Sequence, residues 1–166
     1  MTSDAITMLK ADHKEIRRLF REYRRTSETA VKTRGKIVRQ IIEQLTVHTY
    51  IENEVMYPQV RELLPDMDEN MLESYEEHHV ADVLCAELAA MAPDDEHFEA
   101  KTIVLIENVT HHIEEEEGAR FPRIRAGISR MKLRDIGLLL EQARQRAPKR
   151  PTQPSAARKL VDAVLS

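Results

Sequence analysis

A pattern written twice constrains this chain more than any other feature. His48, Glu52, Tyr57 and Pro58 return 64 positions later as His112, Glu116, Phe121 and Pro122, so each copy reads His-x3-Glu-x4-aromatic-Pro. Residues four apart on a helix share a face about one turn apart, so each copy aims an imidazole and a carboxylate in the same direction. A fold for this chain has to bring those two polar faces somewhere they can be tolerated.

The surrounding residues have a helical period. A segment from about Asp4 to Thr26, with Ser3 as its expected N-cap, carries Ile6, Leu9, His13, Ile16, Phe20 and Tyr23 at steps of three or four. A second, from about Glu28 to Leu64, carries Ile41, Leu45, His48, Glu52 and Val55. After a break at Pro65, with Asp66 and Asp68 expected to cap, a third carries Met71, Tyr75, His78, Ala81, Cys85 and Leu88. Beyond the Pro93-Asp94-Asp95 turn, a fourth carries Phe98, Thr102, Leu105, Val109, His112, Glu116 and Ala119. Four amphipathic helices joined by short connections bury their stripes most simply as an up-down-up-down bundle, an all-α fold. Pro58 and Pro122 remove a backbone donor, which predicts a bend or an ending there. A further amphipathic helix is expected from about Lys132 to Arg146, then a proline-rich linker and a short helix, Ala156 to Leu165, capped by Ser155 and offering Leu160 and Val164. The expected organisation is therefore a bundle over residues 1–127, an additional helix over 128–147, and linker plus terminal helix over 148–166.

Composition supports helix, with only 4 glycines and 4% aromatics in 166 residues. The net charge of −4 is dispersed, with no basic stripe, so no nucleic-acid partner is expected. Cys85 is the only cysteine, which excludes an internal disulfide, a cysteine-rich zinc site and an iron-sulfur cluster, and fits a reducing cytoplasm. The acidic N-terminus is unlike a signal peptide and no long uncharged apolar run occurs, so neither export nor a membrane is expected.

Every stripe of the bundle contains a histidine (His13, His48, His78, His112), and two add a glutamate one turn on (Glu52, Glu116). Uncompensated carboxylates in a core cost several kcal/mol and repel one another, and cations between them remove the penalty. The donor set suits iron, zinc or manganese, and carboxylates spanning two centres favour a dinuclear site. Phase separates these residues from their neighbours. His111 and Glu115 follow a more polar stripe, and His79 lies beside Glu76 and Asp82, so His79 and His111 are expected outside the ligand set. His97 is expected in solvent, and Cys85 as a buried apolar residue.

DHKEI at 12–16, HTYIENEVMYP at 48–58, EEHH at 76–79 and HHIEEEEGARFP at 111–122 resemble the hemerythrin family's cation-binding HHE domain, over about residues 5–125. The resemblance implies a hemerythrin-like bundle and a non-haem di-iron centre, oxo- or hydroxo-bridged, held by His13, His48, His78 and His112 with Glu52 and Glu116 bridging. The family's oxygen carriers use a fifth histidine near the third-helix ligand. Here Ser74 and Asp82 stand four away from His78, which leaves a position that Tyr50, Tyr57, Tyr75 or Asp82 is placed to approach. The implied function is binding of, or reaction with, small oxidants (oxygen, peroxide or nitric oxide) in oxidative-stress handling or sensing, including a weak catalase-like disproportionation of peroxide. The alternatives are a di-iron protein of the iron-sulfur cluster repair type, and a metal-free helical module whose C-terminal helices hold a protein partner.

Overall fold

The structure, a computed structural model, describes residues 3–151. The first helix, α1 (Ala5–Arg24), starts behind Asp4, whose carboxylate accepts the Thr7 backbone N–H at 2.9 Å. The cap is thus Asp4 rather than Ser3. Its two oxygens also take the Thr7 hydroxyl and the Arg125 guanidinium, more than a serine hydroxyl there could hold.

The next rod runs without interruption through α2 (Val31–Ile51), a π-helical turn (Glu52–Met56) and α3 (Tyr57–Leu63). The fourth rod repeats this with α5 (Phe98–Glu115), a π turn (Glu116–Arg120) and α6 (Phe121–Gly127). In each, the aromatic residue's N–H bonds the carbonyl of the ligand-type glutamate five residues back, Tyr57 to Glu52 and Phe121 to Glu116. The bend or ending expected at Pro58 and Pro122 is replaced by this widened turn. Each proline then sits directly after the widened turn, in the first turn of the next α segment, where the changed hydrogen-bond spacing accommodates its ring and missing N–H without breaking the rod. The extra residue also shifts the inward stripe. Met56, Tyr57, Arg120 and Phe121 are buried, Val55 is half-buried, and Ala119, expected on the stripe, is exposed.

Between the two rods, a 3-10 turn (Pro65–Met67) feeds α4 (Asp68–Ala89) directly. Neither Asp66 nor Asp68 caps it: the residue before α4 is Met67, and the acids pair with Arg123 and Arg61 instead. Ser129 caps α7 (Arg130–Arg146), accepting Lys132 N–H at 3.1 Å. The result is an all-α, up-down-up-down four-helix bundle with an additional C-terminal helix. That helix packs on α1, α2 and the first π turn. Gly137 allows the approach, since a Cβ there would lie 2.5 Å from the Ser3 carbonyl oxygen. The segment expected at Ala156 to Leu165 lies outside the described residues. Among the described residues no helix is long and apolar enough to cross a membrane.

The interior divides into two apolar clusters. One holds Ile16, Phe20, Tyr23, Ile41, Leu45, Cys85, Leu105 and Val109, among others. The other holds Leu9, Ile51, Met56, Tyr57, Met71 and Phe121 together with the inner face of α7. Along every rod, the polar residues singled out by sequence fall where one cluster gives way to the other.

Candidate metal centre

All six side chains meet in that intermediate layer. His13, His48, Glu52, His78, His112 and Glu116 are each at most 5% exposed. They form two overlapping groups, His13, His48, Glu52 and Glu116, and Glu52, His78, His112 and Glu116, whose donor atoms lie within 4.8 Å of one another. Both glutamates belong to both groups, and each is the first residue of its π turn. The π turn lets Glu52 and Glu116 keep the phase of His48 and His112, and then re-aims the aromatic residue that follows inward.

The side chains converge on common points, where His78 Nε2 and His112 Nε2 stand 3.1 Å apart. His48 Nε2 lies 2.8 Å from Glu52 Oε1 and His112 Nε2 lies 2.7 Å from Glu116 Oε1. Even so, His13 Nε2, His48 Nε2, Glu52 Oε1 and Glu116 Oε1 have no aligned hydrogen-bond partner in the protein. Four buried donor atoms of ligand chemistry left unmatched in one layer would each carry a desolvation penalty. Imidazole and carboxylate converging in this way fit a cation site.

The opposite face of each imidazole is held by a residue that sequence reasoning did not assign. His48 Nδ1 lies 3.0 Å from Asp12, His112 Nδ1 3.1 Å from Glu77, and His78 Nδ1 2.7 Å from Asn53. His13 Nδ1 is more loosely placed, 3.5 Å from Glu117. An Nδ1–H given to an outer acceptor fixes the tautomer that leaves Nε2 as a lone pair. Each acceptor is the chain neighbour of a residue in the inner set, yet serves a histidine on a different helix. Asp12 beside His13 orients His48, Glu77 beside His78 orients His112 and Asn53 beside Glu52 orients His78, while Glu117 beside Glu116 approaches His13 Nδ1 without a hydrogen bond. Adjacency to an expected ligand was the available signal. The two halves of the chain thus repeat one another across the centre, departing from the repeat at Asn53 against Glu117 and at Tyr57 against Phe121.

Those departures make the halves chemically different. The Phe121 ring stacks on His13 at 5.7 Å. The Tyr57 hydroxyl donates to Glu52 and lies 3.1 Å from His78 Nε2 and 3.4 Å from both His112 Nε2 and Glu116 Oε2. Of the four residues placed to approach an open position, Tyr57 reaches the centre. Tyr75 bonds the Asn53 carbonyl, Asp82 accepts from Thr49 at 3.4 Å, and Tyr50 lines a separate hollow. Next to His48, His78 and His112 lies a cavity of about 10 Å³ walled by Ile16, Leu45, Ala81, Val109 and Ile113. That is about the space of one water-sized molecule.

Electrostatics follow from burial and proximity. Burial, the largest influence, would lower His112, but the carboxylates of Glu116, Glu77 and Glu52 together outweigh it and raise the group to about 10. Burial and the nearby Glu52 press Glu116 up, yet His112 and His13 hold it down to about 2. His48 is raised well above its usual value against the pull of burial, chiefly by Glu52, then by Asp12. His78, backed by a neutral amide, is lowered, burial being the main cause. Burial pushes Tyr57 well up, helped by Glu116 and Glu52, so its hydroxyl keeps its proton.

The neighbours fall elsewhere. His111 and Glu115 are exposed, His79 is half-buried beside Asp82, and His97 is exposed. Cys85 is buried in the first apolar cluster and its thiol is pushed up by that burial.

Residues 4–124 match the family model of the hemerythrin HHE cation binding domain. A DNA nickase from Nostoc sp. (strain PCC 7120) is 28% identical over 122 residues, which are 74% of this chain and 34% of the relative. The chain therefore spans about a third of that protein's length. A crystal structure of a hemerythrin HHE cation binding domain-containing protein from Mycobacterium kansasii superposes with a TM-score of 0.70 at 20% identity. The match covers 86% of this chain and 88% of that one, and shows the shared fold.

Proposed function

The chain belongs to the hemerythrin HHE cation-binding family, and on that premise we propose that its buried layer holds two iron ions and binds or reacts with small oxidants. In this reading His13 and His48 serve one ion, His78 and His112 the other, and Glu52 and Glu116 serve both. The supporting observation is the pair of His-His-Glu-Glu groups that share the same two glutamates. Two bound irons supply redox chemistry toward oxygen, peroxide or nitric oxide.

The protein's own contribution is positioning and selection. Asp12, Glu77 and Asn53 hold imidazoles ready, which lowers the reorganisation needed on binding. The walls of Ile16, Leu45, Ala81, Val109 and Ile113 admit a molecule of two or three atoms and exclude larger ones. Tyr57 holds a proton-bearing hydroxyl on Glu52, beside His78, His112 and Glu116, and would be the nearest proton-bearing group to the cations. DNA nicking, named for the Nostoc relative, is no part of the reading, because the matched residues are a third of that protein.

The test is elemental analysis of the full chain after anaerobic iron loading, followed by ultraviolet-visible spectra with and without peroxide. Two irons per chain and a peroxide-dependent spectrum are expected. Fewer than two tightly held ions, or a spectrum indifferent to peroxide, oxygen and nitric oxide, would sink the proposal. Oxygen evolution from peroxide beyond that of free iron then separates turnover from simple binding.

A further inference from the structure

Three of the four imidazoles are backed by a carboxylate, and each carboxylate is in turn held by an arginine. Arg17 holds Glu117 at 3.0 and 3.2 Å, and Arg120 holds Glu77 at 3.0 Å. Both arginines belong to the bundle. The third does not: Arg144 stands on α7, beyond the residues 4–124 that match the family. Its Nη2 donates to both oxygens of Asp12, at 3.0 and 2.9 Å, and Asp12 holds His48 Nδ1 at 3.0 Å. The helix that presents Arg144 is anchored by Leu133, Ile136, Leu140 and Ala143, each at most 1% exposed. It shares a cluster with Ile51 and Met56, which flank Glu52 in the chain.

We propose that Arg144 is a positioning residue for His48, through which α7 governs how tightly the His13/His48 half of the centre holds its cation. The inference rests on the ligand reading above. A guanidinium nitrogen shared by both carboxylate oxygens ties Asp12 to α7 through charge-assisted hydrogen bonds, and an Asp12 held there steadies the imidazole ring. A ligand oriented beforehand loses less freedom when the cation arrives, and outer partners of this kind change metal affinity by about 10–100-fold. Coupling between binding sites is reciprocal, so cation binding tightens the seat of α7 by the same factor. Arg144 thereby links the centre to a helix whose outer face, with Met131 and Leu138, is exposed.

The experiment compares iron(II) titrations of the full chain as wild type, R144L, D12N and the double variant, with R134L as control for an exposed α7 arginine. R144L is expected to weaken one of the two iron equivalents about tenfold and to add no further loss once Asp12 is Asn. Iron is also expected to slow amide exchange across α7 in the wild type and not in R144L. Affinities of R144L matching those of R134L, or losses in the double variant equal to the two single losses combined, overturn the inference. A purely structural role for Arg144 gives that second result. The metal-free chain supplies an independent reading through the ring N–H resonance of His48, expected to shift in R144L. If the wild type binds no iron, the ligand reading falls and this resonance decides the relay, an unshifted signal overturning it.

Discussion

In the metal-free protein His112 is raised to about 10 and Glu116 lowered to about 2, and the two shifts give stability a direction with pH. The raised imidazole contributes stability that is complete below its ordinary value of 6.5 and is lost as pH climbs through about 10. The lowered carboxylate contributes stability present above 4.5 and lost as pH falls toward about 2. Asp82, raised to about 6 by burial, costs stability as pH climbs from about 4 to about 6 and adds no further loss above that. Urea midpoints of the metal-free chain are therefore expected to fall between about pH 5 and about pH 9. Metal-loaded protein should weaken in acid instead, since ligation needs neutral imidazole. The inner set and its neighbours supply paired variants: Glu116→Gln should lower metal content by at least tenfold, and Glu115→Gln should leave it unchanged. Equal losses on elemental analysis would undo the argument from helical phase. These six residues were legible because a step of three or four is visible in one segment. Asp12, Asn53, Glu77 and Glu117 were not, because each acts on a neighbouring helix and only the packing register pairs it with its histidine.

The π turns are the elements on which the site depends. By taking up one additional residue after Glu52 and Glu116, they carry Tyr57 to the polar layer and lay Phe121 over His13. Adding a second alanine beside the exposed Ala119 would exceed the one residue that the widened turn takes up and rotate everything after it by about 100°, withdrawing Phe121 from the core. The expected loss is about 3–5 kcal/mol, comparable to truncating a buried phenylalanine, read as a lower urea midpoint. A normal midpoint would mean that the seat of Phe121 over His13 does not depend on the length of this turn. Sequence periodicity identified both rods and the positions of both prolines. It could not distinguish a kink from a π insertion, since a missing N–H is compatible with either. The cap at Asp4 rather than Ser3 is a smaller case of the same ambiguity: adjacent residues both able to cap are separated only by tertiary partners such as Arg125.

At the scale of the whole molecule, the polar layer parts two apolar clusters, and α7 belongs to one of them. Leu140, fully buried on the inner face of that helix, is expected to cost about 2–5 kcal/mol on replacement by Ala, with a single cooperative urea transition. A separate early transition for α7 would show that it rides on the bundle without stabilising it. The bundle was legible because four stripes with short connections have few ways to hide. The seat of α7 was not, because it rests on the close approach at Gly137 and the reach of Arg144, neither of which leaves a periodic trace. The crosswise orientation of the imidazoles has one more consequence. Glu117 on the fourth rod stands 3.5 Å from His13 Nδ1 on the first, and Glu116 beside it belongs to both donor groups, so a chain emerging from the ribosome offers no finished half-site until nearly all of the bundle has been synthesised. On the proposed reading, capture of the cation would be postponed to the last stage of biogenesis, when the walls around it already stand.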